Sequence, residues 1–233
     1  MNWSNQYIEV CLEGTSSPFR LLNQKDKEII DKHHIIKSFK KKEAIAGASD
    51  KLKGLIYLVS GKMKVYRTGL GEREQIVKMG KPHDFLGLRA LLTDTVFGFE
   101  AEAIDDSVVC IIEKGNLLRI IKKSPEMALR LLKIVAEEND HAHLRLIDLT
   151  QKHVRSRIAD TLLLLAETYG TGTDGKTLKV NLSREDIAHL SNMTTSNGIR
   201  TLSALSREGI ISMQGRRIIL SDIKELQEIS EHP

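Results

Sequence analysis

Apolar and polar residues along this chain change period twice, and the changes divide it into regions. Between 53 and 113, short apolar runs alternate with turn residues. Leu55-Ile56-Tyr57-Leu58-Val59 is followed by Ser60-Gly61, then by the alternating Lys62-Met63-Lys64-Val65-Tyr66 and by Gly69-Leu70-Gly71. Similar runs recur at 75–79 and 108–112, and the stretch predicts short antiparallel strands in a sandwich or roll. Residues 80–87 (GKPHDFLG) read as a turn, followed by a single helical turn at 88–92. Upstream, Ile29 and Ile30 carry helix-like spacing within 21–36. A strand-like stretch at 35–45 surrounds Lys40-Lys41-Lys42, read as a solvated turn. Residues 1–17 show no sustained period and are expected to be a loose leader, with Trp3 and Tyr7 docking on a neighbour.

Beyond Gly115 the period becomes helical. Ser124-Pro125 is a helix start with Pro in the first turn, and neither Pro nor Gly recurs before Gly170. Leu132, Val135, Asn139, Ala142, Leu146 and Leu149 follow the three-and-four spacing of a coiled-coil seam, which predicts a dimerisation helix over 124–149. An Asn at a seam position pairs with its copy and sets register. The alternative is one amphipathic helix packed on its own roll. Residues 150–154 (TQKHV) interrupt the seam and are the expected hinge.

The last region, 155–233, begins with a helix over 155–168 that turns Ile158, Ala159, Leu162, Leu163 and Leu165 inward, then a loop at 171–175 and a short strand at 177–180. Ser183, with Asp186 three residues on, reads as an N-cap, and Thr194 caps a second helix. That helix places Gly198, Thr201, Leu202 and Leu205 on its inner face and Ser196, Asn197, Arg200 and Ser203 on the other. Two helices joined by about three residues form a helix-turn-helix, whose second helix enters a DNA major groove. Gly209 closes it, and 210–220 read as a hairpin wing with Arg216 and Arg217 at its tip, placed for phosphates. Ser221-Asp222 caps a final helix.

At 233 residues the chain accommodates two modest domains, and its 41% hydrophobic and 28% charged residues are ordinary for a folded soluble protein. The net charge of +4 permits a polyanionic partner. Residues 151–221 hold ten Lys/Arg against six Asp/Glu, a modest excess that suggests two copies sharing the binding. No apolar run approaches the roughly 20 residues of a membrane span, and the N-terminus lacks signal-peptide features, so a cytoplasmic location without membrane contact is expected. Cys11 and Cys110 are too few for a disulfide framework, a zinc site or an iron–sulfur cluster. His83 is expected on a surface turn, and no metal site is read.

Roll, long helix and winged helix-turn-helix, in that order, resemble the Crp/Fnr superfamily of bacterial transcription regulators. The resemblance rests on GLIYLVSGKMKVY (54–66), GKPHDFLG (80–87), RSRIADTLLLLA (155–166) and LSREDIAHLSNMTTSNGIRTLSALSREGIIS (182–212), and covers about 18–220. It implies an α+β fold: an N-terminal antiparallel β-roll of the jelly-roll, cyclic-nucleotide-binding type at 18–123, the dimerisation helix, and a C-terminal winged helix-turn-helix. It implies a homodimeric, non-enzymatic regulator on a pseudo-palindromic double-stranded DNA operator, with RNA polymerase a partner if it activates. The expected DNA contacts are Ser183, Thr194, Thr195, Ser196, Asn197, Arg200, Ser203, Arg216 and Arg217. Arg200 is the residue for a bidentate guanine or phosphate contact and Asn197 for adenine. Thr195-Ser196 stand where members carry an Arg-Glu pair, which implies a different half-site.

The same resemblance locates an effector pocket at Met79, Leu86, Gly87, Leu88, Arg89, Phe97, Phe99, Ala142 and His143. Cyclic-nucleotide-binding members follow the turn glycine with a ribose-holding Glu, here Leu88. They hold the phosphate with an Arg-Ser/Thr-Ala segment, where this chain reads Phe97-Gly98-Phe99-Glu100-Ala101, and read adenine with a Thr/Ser pair, here near Ala142-His143. Neither cAMP, an iron–sulfur cluster nor haem is therefore expected, and the effector is left open. Two other readings stay beside this one: a cupin-like metal-dependent enzyme with a helical appendage, and a regulator whose roll is only a protein-contact platform.

Overall fold

The computed structural model describes residues 3–231 and divides into two compact units. The first comprises the N-terminal residues to Arg67 together with Lys78–Asn139. It opens on a helix, α1 (Trp3–Glu13), a 3-10 turn (Pro18–Leu21) and α2 (Gln24–Lys32), whose N-cap Asn23 accepts from the Asp26 amide at 2.9 Å. Strands β1 (His34–Phe39), β2 (Ala44–Ala46), β3 (Gly54–Ser60), β4 (Met63–Thr68), β5 (Glu74–Gly80) and β6 (Phe85–Leu86) follow. After α3 (Leu88–Thr93) come β7 (Glu100–Ala103) and β8 (Ser107–Glu113). They form two four-stranded sheets, in the orders β1-β8-β3-β6 and β2-β7-β4-β5. Every pair with an assigned register in these sheets is antiparallel, including Ile36 opposite Cys110, Tyr57 opposite Cys110 and Val65 opposite Ala101.

The uninterrupted apolar run of β3 follows from its being covered on both faces. Successive side chains of a strand point to opposite sides. Leu55, Tyr57 and Val59 pack with Phe19, Cys110, Leu117, Ile120, Met127 and Leu131, beneath the helices. Ile56 and Leu58 pack with Met63, Val65, Leu86, Phe97, Ala101 and Val109, inside the roll. Helices α4 (Lys114–Lys123) and α5 (Pro125–Gln151) follow β8.

Residues 3–13 correct the expectation of a loose leader. Ile8, Cys11 and Leu12 are buried on α1 and belong to the helix-side core, with Tyr7 half-buried against it. The side chain of Trp3 and residues 1–2 lie outside the described residues. Cys11 and Cys110 meet there as free buried thiols, and burial followed by the contact with Cys110 pushes the Cys11 thiol up. His83 also departs from a plain surface turn. It is half-buried at a φ of 80°, and its Nδ1 lies 2.7 Å from the Tyr57 hydroxyl. Lys64 breaks the alternation expected of β4: its side chain is buried, with Nζ 4.9 Å from the Tyr66 ring centroid and 3.8 Å from Glu102 Oε1. Strand β6, two residues long, corrects the expectation that 80–87 is all turn, and β7 is not signalled because EAEA is β-poor.

The second unit comprises Thr68–Val77 and Asp140–Pro233. Helix α6 (Val154–Tyr169) begins after a break at Lys152-His153 and buries Ile158, Ala159, Leu162 and Leu165, with Leu163 half-buried. Helices α7 (Arg184–Leu190) and α8 (Thr195–Arg207) follow, then the β9 (Ile211–Gln214) and β10 (Arg217–Leu220) hairpin and α9 (Ile223–Glu231). The strand expected at 177–180 is reduced to single bridges, Thr171 to Leu178 and Thr177 to Ile219, because each side offers only one paired residue. Among the described residues, no helix is long and apolar enough to cross a membrane.

Candidate functional site

Local capping sets the two helices of the helix-turn-helix. The Ser183 hydroxyl accepts from the Asp186 amide at 2.9 Å while the Asp186 carboxylate accepts from the Ser183 amide at 3.2 Å, a reciprocal capping box. The Ser183 hydroxyl is thus committed to the cap. Thr194 opens α8 by accepting from the Asn197 amide at 3.3 Å. Between them the turn passes through Asn192 at a φ of 52°, a conformation Asn tolerates better than most residues. Gly198 sets the approach of the two helices: a Cβ there would lie 2.4 Å from the Cβ of Ala188.

Side chains from elsewhere in the same unit tie down the carbonyls of this turn. Gln75 donates to the His189 carbonyl at 2.9 Å, Arg145 to that of Leu190, and Arg157 to that of Asn192 at 3.1 Å. Burial presses the Arg145 guanidinium below its ordinary pKa. Ser191, in the turn between the two helices, is buried. Its hydroxyl donates to the Ile187 carbonyl at 2.8 Å and lies 2.8 Å from that of Thr161. Arg155 grips Glu208 at the end of α8, with Nη1 2.8 Å from Oε1, and holds that carboxyl below the usual range.

The outer face of α8 is turned away from these ties. Ser196, Asn197 and Arg200 are exposed, and Thr195 and Ser203 half-exposed, while Gly198, Leu202 and Leu205 are buried against the unit. This arrangement presents one guanidinium, one carboxamide and several hydroxyls on a single rigid helix, the donor and acceptor set suited to base edges and phosphates. Ile199 shares that face and is 41% exposed. Sequence reading left it unassigned, although its helical spacing from Ser196 and Ser203 was the available signal. The hairpin turns at Gly215, whose φ is 62°, and carries Arg216 and Arg217, both exposed. Arg216 stands in the turn itself and Arg217 is the first residue of β10.

In the roll, the sequence-predicted pocket residues divide. Leu86 and Phe97 are buried in the roll interior, with Phe99 packed against them and its ring centroid 6.2 Å from that of Phe97. Leu88 belongs to the core on the helix side, and Met79 is buried. Gly87 begins α3 at a φ of 91°, where a Cβ would lie 2.4 Å from Leu52 Cδ1. Arg89 is exposed and donates to the Phe97 carbonyl at 2.8 Å and to the Thr95 hydroxyl at 3.3 Å, so its guanidinium is held by the loop that follows α3. Because Phe99 and Ala101 pack inward, strand alternation turns Glu100 outward. Its Oε2 is buried without a partner. Ala142 and His143 lie on α5 in the other unit, exposed. Among the described residues, no group of three or more His, Cys, Asp or Glu is placed to hold a metal ion.

The seam positions of α5 face solvent. Leu132 is 64% exposed, Val135 38% and Leu146 60%; Asn139 and Ala142 are exposed, and Leu149 is half-buried.

Two stretches match family models, residues 36–124 that of the cyclic nucleotide-binding domain and residues 156–229 that of the Crp-like helix-turn-helix domain. The transcriptional activator protein FnrL of Cereibacter sphaeroides is 26% identical over 198 residues, which span 82% of this chain and 79% of its own length. The structure of FixK2 from Bradyrhizobium japonicum matches with a TM-score of 0.76 at 25% identity, over 86% of this chain and 99% of that one. TTHB099, a CRP-family transcriptional regulator from Thermus thermophilus, matches with a TM-score of 0.73 at 26% identity, over 84% and 97%. Sensor-type roll, long helix and capped helix-turn-helix therefore occur together in one chain with regulators for relatives, and the protein belongs to the Crp/Fnr superfamily as a helix-turn-helix transcription regulator, not an enzyme.

Proposed function

We propose that the protein works as a homodimer on a pseudo-palindromic duplex, with α8 of each copy in the major groove and the wing on the flanking phosphates. The observation that carries this is the exposed polar face of α8 beside an arginine-tipped hairpin within one compact unit. Arg200 supplies the bidentate contact to guanine or phosphate, with Asn197, Ser196, Thr195, Ser203 and Thr194 on neighbouring base edges and backbone. Arg216 and Arg217 hold phosphates. Ser183 shapes the first helix rather than touching DNA directly, since its hydroxyl is already bonded to Asp186. The solvent-facing stripe of α5 supports dimerisation: large aliphatic side chains at seam spacing find a partner in a second copy. The break at Lys152-His153 within 150–154 is the hinge between dimer helix and reading head.

The roll works without cAMP. Its interior is filled by Leu86, Phe97 and neighbouring apolar side chains, and the Arg89 guanidinium serves its own loop. A phosphate buried there would lack its cation. Acting on DNA places the protein in the cytoplasm, and if it activates, RNA polymerase is its further partner. Selection of bound sequences from random duplexes, at fixed salt and with and without cAMP, tests the whole reading. The expected product is an inverted repeat with half-sites about 10–10.5 bp apart, or a multiple of that spacing, unchanged by cAMP. A single unpaired half-site would overturn the dimer. A site or affinity that depends on cAMP would overturn the account of the roll.

A further inference from the structure

Helix α8 leaves one large aliphatic side chain partly in water. Ile199 is 41% exposed, whereas Leu202 and Leu205 on the same helix are fully buried. Residue spacing sets it one turn beyond Ser196 and one turn before Ser203, next to Arg200, on the face assigned to DNA. Neither helix formation nor solubility favours a branched apolar residue at such a position, since straight-chain polar residues form helices as well or better. The side chain does have one property of use there: in a helix its χ1 is nearly fixed, so its methyl groups are presented with little left to order on binding.

The major groove offers a single apolar group among its hydrogen-bonding edges, the C5-methyl of thymine. We infer that Ile199 is a specificity-determining residue that packs on a thymine methyl in each half-site, fixing an A·T pair beside the positions read by Ser196, Arg200 and Ser203. The inference rests on α8 being the helix that enters the groove. It adds a discrimination that Ser196, Asn197, Arg200 and Ser203 cannot make, because a serine hydroxyl, a carboxamide and a guanidinium do not sense a methyl group.

The test uses the full chain and a duplex obtained by selection, with each thymine of a half-site replaced in turn by deoxyuridine. That exchange removes the methyl and keeps the base pair. Binding is followed by fluorescence anisotropy at one salt concentration. The wild type should weaken about fourfold at one thymine of the half-site, the equivalent of one buried methyl group. Ile199→Ala, which shortens a partly exposed side chain and improves helix propensity, should bind the thymine and uracil duplexes alike at that position. Unaltered methyl discrimination in Ile199→Ala overturns the inference, as does a wild type indifferent to every uracil exchange. Arg200→Ala on the same duplexes separates the two levels. If it loses sequence preference while Ile199→Ala keeps methyl discrimination, the Ile199 assignment alone fails. If both variants bind as the wild type does, α8 is not the reading helix.

Discussion

Two residues of α8 show how closely the reading helix is specified. Gly198 faces Ala188 with no room for a methyl group, so Gly198→Ala should destabilise the helix-turn-helix by about 1–3 kcal/mol, the usual cost of overpacking. Adding Ala188→Gly should recover much of that loss in thermal unfolding. No recovery would show that the close approach is not what demands glycine. Arg200, in contrast, is exposed, and Arg200→Ala should leave unfolding unchanged while costing specific binding about 1–3 kcal/mol in titrations on the selected site. Helical spacing was enough to put Gly198 inside and Arg200 outside. It was silent on the residues whose roles depend on a distant partner: Ser191 with Thr161, His83 with Tyr57, and Lys64 with Glu102. Those pairs are 30, 26 and 38 residues apart in the chain, beyond any local period.

At the level of elements, legibility followed how local the determinants are. The caps of α7 and α8 involve residues three apart and were readable, as was the hairpin closing at Gly215. Strand β7 is a strand because β2 and β4 flank it, and nothing in EAEA says so. The wing makes its own prediction. If Arg216 and Arg217 neutralise phosphates, replacing either with Ala should weaken binding on all sequences alike and lower the salt slope by about 1 per residue. An unchanged slope would remove the wing from the interface. The loop before α7 carries a second. The Asp174 carboxylate accepts from the Thr177 hydroxyl and amide and from the Lys176 amide, which hold its pKa down to about 2. A carboxyl depressed in the folded state favours folding above its unfolded value of about 3.9, and that contribution disappears as pH falls to about 2. NMR titration of its carboxyl carbon should show the low midpoint. A midpoint near the unfolded value would mean the loop does not hold those bonds in solution.

For the molecule as a whole, the proposed dimer rests on α5. Leu132→Glu and Leu146→Glu change residues that are mostly exposed in one copy, so the fold should survive by circular dichroism. Sedimentation should nevertheless show monomers, and affinity for the inverted repeat should fall towards that for a half-site. Dimers persisting in both variants would assign the stripe to another partner. The α+β order of roll, long helix and winged head was legible because each region has its own period. The contribution of the first residues was not, because Ile8, Cys11 and Leu12 make only one helical turn of apolar spacing. In the folded chain those three side chains close the core beneath β3 and β8. The stretch that matches the cyclic nucleotide-binding domain family begins at residue 36, so the shared module and the unit that must fold are different lengths. A chain trimmed to the shared module would expose Phe19's neighbours and the Tyr57 side of the sheet to water, turning a regulator's inner wall into an adhesive surface.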